Sequence, residues 1–318
     1  MPNNRVRDIF NIKYPIVQGG LAYLAFAELA AAVSNAGGLG QITATFFDDP
    51  EDLRAEIKTA KTLTDKPFGV NFALGRRSID KLVDVAIEEE VPAVSVTAGN
   101  PAPVFDQLEG TNIKKLVLVA SVRQAQKAEE LGAEAVIVVG TEGGGHLGRD
   151  DVGTIVLVPK VIDAVSIPVI ASGGLVDGRG YAAALALGAE GIEMGTRFIA
   201  TKECIAHPRY KEAIVNAKAN ETMIIKKSLG IPGRALRTKA TEKIARMEEE
   251  GASFEALWPY INGQANQKLI QDGDIEESFG WAGQGVGLID DVPSVRELMD
   301  KMIQEANMAK KRVEDHLS

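Results

Sequence analysis

The feature that most constrains the fold of this chain is a series of eight short apolar runs, rich in β-branched residues, within its first 200 residues. Each run ends in a small residue or is followed directly by glycine, and a segment with helical character comes after it. Several runs are continuously apolar, which is typical of parallel strands buried on both faces. The runs are Tyr14–Gln18, Leu39–Ala44, Phe68–Leu74, Ala93–Thr97, Leu116–Ala120, Ala135–Val139, Pro168–Ser172 and Gly191–Met194.

Helix-start signals separate these runs. Asp49 followed by Pro50 predicts an N-cap with proline in the first turn, and Ser121 with Gln124 has the spacing of a capping box. Eight strands that alternate with helices favour a closed (β/α)8 TIM barrel of the α/β class, because an open doubly wound sheet usually needs fewer strands.

The pattern changes after the eighth run and predicts three regions. Residues 1–201 are expected to form the barrel, and residues 202–274 a small, mostly helical inserted subdomain on the substrate side. Residues 275–318 comprise a glycine-rich segment, Phe279–Leu288, and an amphipathic helix from Val292 that returns to the barrel wall.

Charge and cysteine content narrow the functional classes. The chain has 44 acidic and 35 basic side chains and a net charge of -9, which argues against nucleic acid as a partner, although Lys226-Lys227 could bind one phosphate. A single cysteine, Cys204, excludes an internal disulfide and a thiolate metal cluster, and no other metal-binding motif is present. With no signal-peptide core and no run long enough to span a membrane, we expect a cytoplasmic protein that acts on a small molecule.

Glycine turns follow the seventh and eighth predicted strands, where (β/α)8 barrels commonly hold phosphate. Their backbone N–H groups can approach an anion closely, and the helix that Asp177 opens would add its positive end. A tight turn without a ligand explains either loop alone, but two such loops at the expected strand ends favour a phosphate site. The turns are Ser172-Gly173-Gly174 and Met194-Gly195-Thr196.

The sixth predicted strand leads into a glycine-rich loop that contains His146. The loop also has a G-x-G-x-x-G sequence from Gly143 to Gly148. A dinucleotide-binding turn would require an acidic residue at the end of the next strand, which instead ends in Ser-Gly-Gly, so we disfavour it. His146 could donate a hydrogen bond to a substrate or move a proton at neutral pH. Capping a backbone carbonyl is the alternative role.

Polar and small residues also mark the first and third strands. Gln18-Gly19-Gly20 follows the first, and Asn71 lies in the third. The Asn71 amide can both donate to and accept from the edge of a flat ligand, whereas pairing with neighbouring backbone explains it equally well. Trp258 and Trp281 are better explained by core packing than by lining a pocket.

Taken together, these motifs resemble the nitronate monooxygenase superfamily of FMN-dependent barrels, which includes type II enoyl-ACP reductases and NADH:quinone reductases. The resemblance covers nearly the whole chain. It depends on the segments Tyr14–Gly20, Ser34–Gly40, Lys66–Asn71, Gly144–Gly148, Ala171–Gly174 and Met194–Phe198.

The resemblance implies FMN as the cofactor and His146 as the catalytic residue, which would bind or deprotonate the substrate beside the flavin. It also implies NAD(P)H as a co-substrate in the reductases, and it suggests a homodimer, the assembly usual in the family. The cofactor-binding residues that it implies are Gly19, Gly20 and Asn71 along the flavin, Gly144, Gly145, Ser172, Gly173 and Gly174 at the ring and phosphate, and Met194, Gly195 and Thr196 at the phosphate.

Oxidation of alkyl nitronates with O2 is the leading functional expectation. The alternative is an NAD(P)H-dependent reductase of quinones or enoyl thioesters, to whose branches the Gln-Gly-Gly opening and the segment Asp177–Gly180 look closer. Many family members have alanine where this chain has Gly143, which leaves the histidine loop more flexible. A non-catalytic flavin- or phosphate-binding barrel is the alternative of another class.

Overall fold

The eight predicted strands are present and form one parallel sheet in the computed structural model, which describes residues 4–75 and 77–317. A bridge between Val17 and Leu39 joins the first and last strands of the sheet and closes it into a barrel. The fold predicted from the sequence, a (β/α)8 TIM barrel, is therefore confirmed. The barrel strands are β1 (Ile16–Gln18), β2 (Gly40–Thr43), β3 (Phe68–Ala73), β4 (Ala93–Thr97), β5 (Lys114–Val119), β6 (Ala135–Val139), β8 (Val169–Ser172) and β9 (Gly191–Met194).

Helices cover the outside of the barrel and bury the outward faces of its strands. They are α1 (Arg5–Phe10), α2 (Ala27–Asn35), α3 (Pro50–Leu63), α4 (Asp80–Glu88), α5 (Ala102–Gln107), α6 (Val122–Glu130), α7 (Thr154–Ile162), α8 (Gly178–Ala186), α9 (Thr196–Ile199) and α14 (Val295–Leu317). The predicted N-caps are present: Asp49 accepts a hydrogen bond from Glu51 N, and Ser121 from Gln124 N. α14 packs on α8 and α2 and so completes the wall, as expected.

Apolar side chains fill the amino-terminal half of the barrel. Val17 and Leu39 belong to this inner core, which Val6 and Phe10 of α1 close from below. The carboxyl end, where loops follow the strands, is the end left for a ligand.

A three-stranded antiparallel sheet stands beside that end. Its strands are β10 (Thr222–Ile225), β11 (Gly233–Leu236) and the short β7 (Gly145–His146), which pairs with β11. The remaining helices of the inserted region are α10 (Pro208–Asn216), α11 (Lys239–Glu249), α12 (Phe254–Ile261) and α13 (Gly263–Gln267). The region contains these helices together with two strands that the sequence did not indicate. The boundaries at residues 201 and 274 stay predictions.

The loop with the G-x-G-x-x-G sequence forms β7 and not the start of a helix, since α7 begins only at Thr154. This geometry argues against a dinucleotide-binding turn there. Among the described helices, none is long and apolar enough to cross a membrane.

Candidate active site

Two glycine turns lie side by side at the carboxyl end of the barrel, because β8 and β9 are neighbouring parallel strands. Within the described residues, the backbone N–H groups of Gly173, Gly174, Gly195 and Thr196 donate to no backbone acceptor and to no side chain. Gly173 and Gly174 have φ angles of +97° and +76°, which other residues rarely adopt. Adjacent unused N–H groups form a site for an anion. We call these two turns the glycine cup.

The helix after the first turn contributes less to the cup than the sequence led us to expect. Asp177 Oδ1 accepts from Gly180 N, and Glu305 Oε2 accepts from Gly178 N, both at 2.9 Å. Two carboxylates therefore occupy donors at the amino end of α8 and offset its positive end. The expected attraction of this helix for a phosphate is not supported.

In the second turn, Met194 and Thr196 also make contacts with the rest of the protein. The Met194 side chain is buried in the outer core, and its carbonyl accepts from Gly19 N at 2.9 Å. Thr196 Oγ1 accepts from Gly283 N at 3.0 Å. Met194 thus positions the loop after β1, whereas Thr196 leaves its backbone N–H for the cup.

A buried carboxyl group, that of Glu193, lies beside the cup. Its register with Val17 places it on the inner face of β9, and Ser172 Oγ donates to its Oε2 at 2.8 Å. A side chain at Gly19 would come within 3.2 Å of the other oxygen, Oε1. Burial raises the pKa of Glu193 to about 7, although the Ser172 hydrogen bond opposes this. The sequence analysis identified Ser172 and Gly19 but missed Glu193.

Gly20 and Asn71, both predicted to line the flavin, are in direct contact. Asn71 Nδ2 donates to Ser95 Oγ at 2.8 Å, and no described donor bonds its Oδ1. A Cβ at Gly20 would lie 2.2 Å from that Oδ1. The partner of Asn71 is thus mainly a side chain, and its position holds the backbone of Gly20 against β3.

The loop after β6 is held onto the glycine cup by Thr154. Its Oγ1 lies 2.9 Å from both the backbone oxygen of Gly173 and Glu142 Oε2, and its single hydroxyl proton can be donated to either. Its backbone N–H donates to Glu142 Oε2 at 2.8 Å. Further along this loop, a Cβ at Gly144 would lie 2.6 Å from Gly283 N. Gly145 has a φ of +79° and open space where a side chain would be. Gly144 is thus packed against protein, whereas Gly145 borders a free volume.

His146 lies in β7, away from the strands of the barrel, and meets a lysine from the inserted region. Its Nε2 is 2.7 Å from Lys226 Nζ. The ring reaches solvent, yet surrounding protein lowers its pKa to about 4, and the Lys226 charge acts in the same direction. The imidazole is therefore neutral at pH 7, and we assign its Nε2 as the acceptor of the Lys226 proton.

Lys226 itself is buried and held in an unusual backbone conformation. Burial lowers the pKa of its ammonium to about 8, with Glu248 acting in the opposite direction. Its Nζ lies 4.7 Å from the centre of the Trp281 ring, a cation–π distance. Its φ is +62°, which is uncommon outside glycine. Glu248 fixes this turn by accepting from Lys226 N and Ser228 N at 2.8 and 2.9 Å.

The glycine-rich segment connects the histidine to the cup. Trp281 packs against the His146 ring, with 5.2 Å between ring centres. Two residues later Gly283 N bonds Thr196, and Gln284 N donates to Glu142 O at 2.9 Å. Residues 281–284 therefore touch both the loop that carries His146 and the second turn of the cup. Trp281, which the sequence assigned to core packing, lies at this junction.

Comparison with known proteins identifies the family. The model of the nitronate monooxygenase family matches residues 3–81 and 73–305. This chain belongs to the nitronate monooxygenase family. The resemblance stated from the sequence is confirmed, and the chain is an enzyme of an oxidoreductase family whose members and structural neighbours depend on flavin.

Individual relatives carry different names. FabK from Thermotoga maritima superimposes with a TM-score of 0.92 and 42% identity over 99% of this chain and all of that one. A probable nitronate monooxygenase from Staphylococcus saprophyticus is 31% identical over 96% of this chain and 98% of its own. A carboxyl-CoA dehydrogenase from Mycobacterium tuberculosis, named for a hydroxy-methyl-oxo-octahydroindene substrate, is 33% identical over 94% of both chains. These relatives share one family and differ in the reactions that their names give.

Proposed function

We propose that this chain is an FMN-dependent oxidoreductase that uses NAD(P)H to reduce the double bond of an enoyl thioester. The observation that carries this proposal is the hydrogen bond between Lys226 and His146, which provides a cationic proton donor beside the glycine cup. Oxidation of nitronates, the leading expectation from the sequence, becomes the second candidate.

The residues of the barrel end fit FMN. The free N–H groups of the glycine cup suit a phosphate, and the open space beside Gly145 leaves room for a flat ring. At Gly19 and Gly20 the absence of a side chain lets the loop after β1 pack closely on Glu193 and Asn71. We assign the flavin site to Gly19, Gly20, Asn71, Gly144, Gly145, Ser172, Gly173, Gly174, Met194, Gly195 and Thr196. Within this set, Met194 and Gly144 pack against protein and position the loops.

Bound FMN would supply hydride transfer. Reduction of an enoyl thioester also requires a proton at the α-carbon and stabilisation of negative charge on the carbonyl oxygen. The Lys226 ammonium can meet both needs, either directly or through His146, whose neutral ring accepts a proton at Nε2 as Nδ1–H donates. The cation–π contact with Trp281 keeps the ammonium in place without neutralising it.

Similarity favours the same order of candidates. The identity to FabK, an enoyl-ACP reductase, is 42%, whereas that to the probable nitronate monooxygenase is 31%. The Mycobacterium tuberculosis relative is named for a CoA thioester. Two of these three names therefore refer to acyl carriers joined through a thioester.

A specific observation keeps nitronate oxidation as the second candidate. A nitronate is an anion, and the Lys226 ammonium could bind it as well as it could bind an enolate. A histidine whose pKa is about 4 is a weak base for removing a proton from a neutral nitroalkane. The site therefore suits a nitronate that is already ionised.

An anaerobic absorbance experiment separates the candidates. FMN-loaded protein is mixed with NADH or NADPH, and then with a short-chain enoyl thioester; a second sample receives an alkyl nitronate. Loss of flavin colour with nicotinamide, followed by its return with the thioester, is the expected result. Bleaching by nitronate alone, with colour restored by air, would replace the reductase with the monooxygenase. A lack of FMN binding would overturn both, and turnover unaffected by His146→Ala would remove His146 from the mechanism.

A further inference from the structure

Glu193 is a buried acid that the proposed reaction does not use. Its side chain is 5% exposed and lies at the end of β9, two residues before Gly195 of the glycine cup. Only Ser172 among the described residues hydrogen-bonds it, through Oε2. Its carboxyl group abuts Gly19, where an added Cβ would come within 3.1 Å of the carboxyl carbon and 3.2 Å of Oε1. One oxygen is thus bonded to Ser172, which begins the first turn of the cup, and the carboxyl group contacts a residue assigned to the flavin site.

Within the described part of the chain, no cation forms an ion pair with this acid. On the strands packed against β9, the neighbours in register are Val17 of β1 and Ser172 of β8, neither of which carries a charge. Arg197, four residues on, bonds Asp291 and Ala200 O instead. Glu142, the acid on the adjoining loop, is bound by Thr154 N at 2.8 Å. Burial accordingly raises the pKa of Glu193 to about 7, since only Ser172 favours its charged form.

A carboxylate in this position would repel a phosphate in the cup. Glu193 lies two residues before Gly195 and bonds Ser172, so its carboxyl group adjoins both turns of the cup, and like charges interact strongly in a buried site. A protonated Glu193 removes that repulsion. It can also donate a hydrogen bond from Oε1 into the space beside Gly19, which a carboxylate cannot do.

We propose that Glu193 couples cofactor binding to proton uptake: it carries a proton whenever a phosphate-bearing flavin occupies the glycine cup. This inference rests on the proposed FMN site. Glu193 is a positioning residue. In its neutral form, this acid on the inner face of the barrel does not repel an anionic ligand. The affinity for FMN falls as pH rises through the range in which the free protein loses this proton.

The test is a titration of the cofactor-free full-length protein with FMN, followed by quenching of flavin fluorescence between pH 7 and pH 9. In this range the phosphate of FMN is already largely dianionic, since its second pKa is about 6. The wild-type Kd should rise about tenfold per pH unit over part of this interval, while that of Glu193→Gln stays nearly level. Ser172→Ala should move the rise to higher pH, because the hydroxyl no longer favours the carboxylate.

Parallel curves for wild type and Glu193→Gln would overturn the inference while leaving the FMN site intact. If neither protein binds FMN at any pH, the proposed function fails instead, and this inference fails with it. A measurement on wild type alone guards against misfolding of the variant. Mixing with FMN in weakly buffered solution near pH 8 should take up close to one proton per FMN bound, and an infrared difference spectrum should gain a protonated-carboxyl band; absence of both contradicts the proposal.

Discussion

The glycine cup and the sheet that carries His146 differ in the ionisation of their buried side chains. At the cup, Glu193 is an acid without a cation, and burial drives it towards the neutral form. In the sheet, Lys226 is a cation beside a neutral histidine and an indole ring, and at pH 7 it stays charged. A cup whose buried acid is driven towards the neutral form suits an anionic cofactor, and a retained positive charge suits an anionic substrate.

The two regions also differ in how they are supported. The cup follows directly from strands whose hydrogen bonds and apolar core fix them, and its unusual φ angles fall on glycines. The sheet that carries His146 depends on an inserted hairpin. Its unusual φ angle falls on Lys226, where a hydrogen bond to Glu248 stabilises the turn. Functional groups on an insertion can vary without disturbing the barrel. This explains how one family accommodates several reactions.

The largest effect is expected from removing the positive charge of Lys226 in the sheet that carries His146. Lys226→Met should lower kcat by about 100- to 1,000-fold, the size usual for losing a proton donor, with FMN content unchanged. Lys227→Met is the matched control because Lys227 is adjacent and exposed. Steady-state kinetics on FMN-loaded protein checks this, and equal rates for the two variants would remove Lys226 from the chemistry. Wild-type activity should also decline above about pH 8, as the ammonium deprotonates.

The corresponding change at the cup should stabilise the cofactor-free protein. The pKa of Glu193 is raised in the folded state, so the wild type loses stability as pH rises from about 4.5 to about 7 and is constant above. Glu193→Gln avoids this loss and should be more stable at pH 8 by about 2–3 kcal/mol, with the difference shrinking towards pH 5. Urea unfolding at several pH values measures it, with the exposed Glu109→Gln as control. A difference that does not vary with pH would show that packing, not ionisation, is responsible.

A smaller effect is expected from steric closure of the cup entrance. Gly20→Ala places a Cβ 2.2 Å from Asn71 Oδ1, so the loop after β1 or the Asn71 side chain, both assigned to the flavin site, must shift. We expect the Kd for FMN to rise by about tenfold, or ~1.4 kcal/mol. Gly75→Ala is the control, because its Cβ would meet no atom within 4 Å. Equal FMN affinity in the two variants would place the flavin elsewhere.

The smallest effect concerns the histidine alone. In Lys226→Met the neighbouring positive charge is gone, so the pKa of His146 should rise from about 4 by roughly one unit. Burial, the larger cause of its low pKa, remains and limits the change. An NMR titration of labelled histidine follows it directly. An unchanged value would mean that Lys226 is not charged beside His146.

Much of the barrel could be predicted from the sequence because the signals are local. Continuous apolar runs of strand length, with helix caps between them, gave all eight strands to within a few residues. Glycines at the ends of the seventh and eighth predicted strands marked the cup by an equally local signal, and the turn at Gly173 and Gly174 requires positive φ. The short hairpin β10–β11 escaped prediction because four-residue strands within a charged helical region have no distinct periodicity.

The sequence by itself determined the barrel, the glycine cup and His146 as a candidate catalytic residue, because the signal for each lies in residues that are neighbours along the chain. Only the tertiary structure decided what those residues meet. His146 and Lys226 are separated by 80 positions, and Ser172 and Glu193 by 21, and no local pattern encodes either contact. Burial and pairing, which set whether Glu193 is neutral and Lys226 charged, arise only once the chain has closed around them.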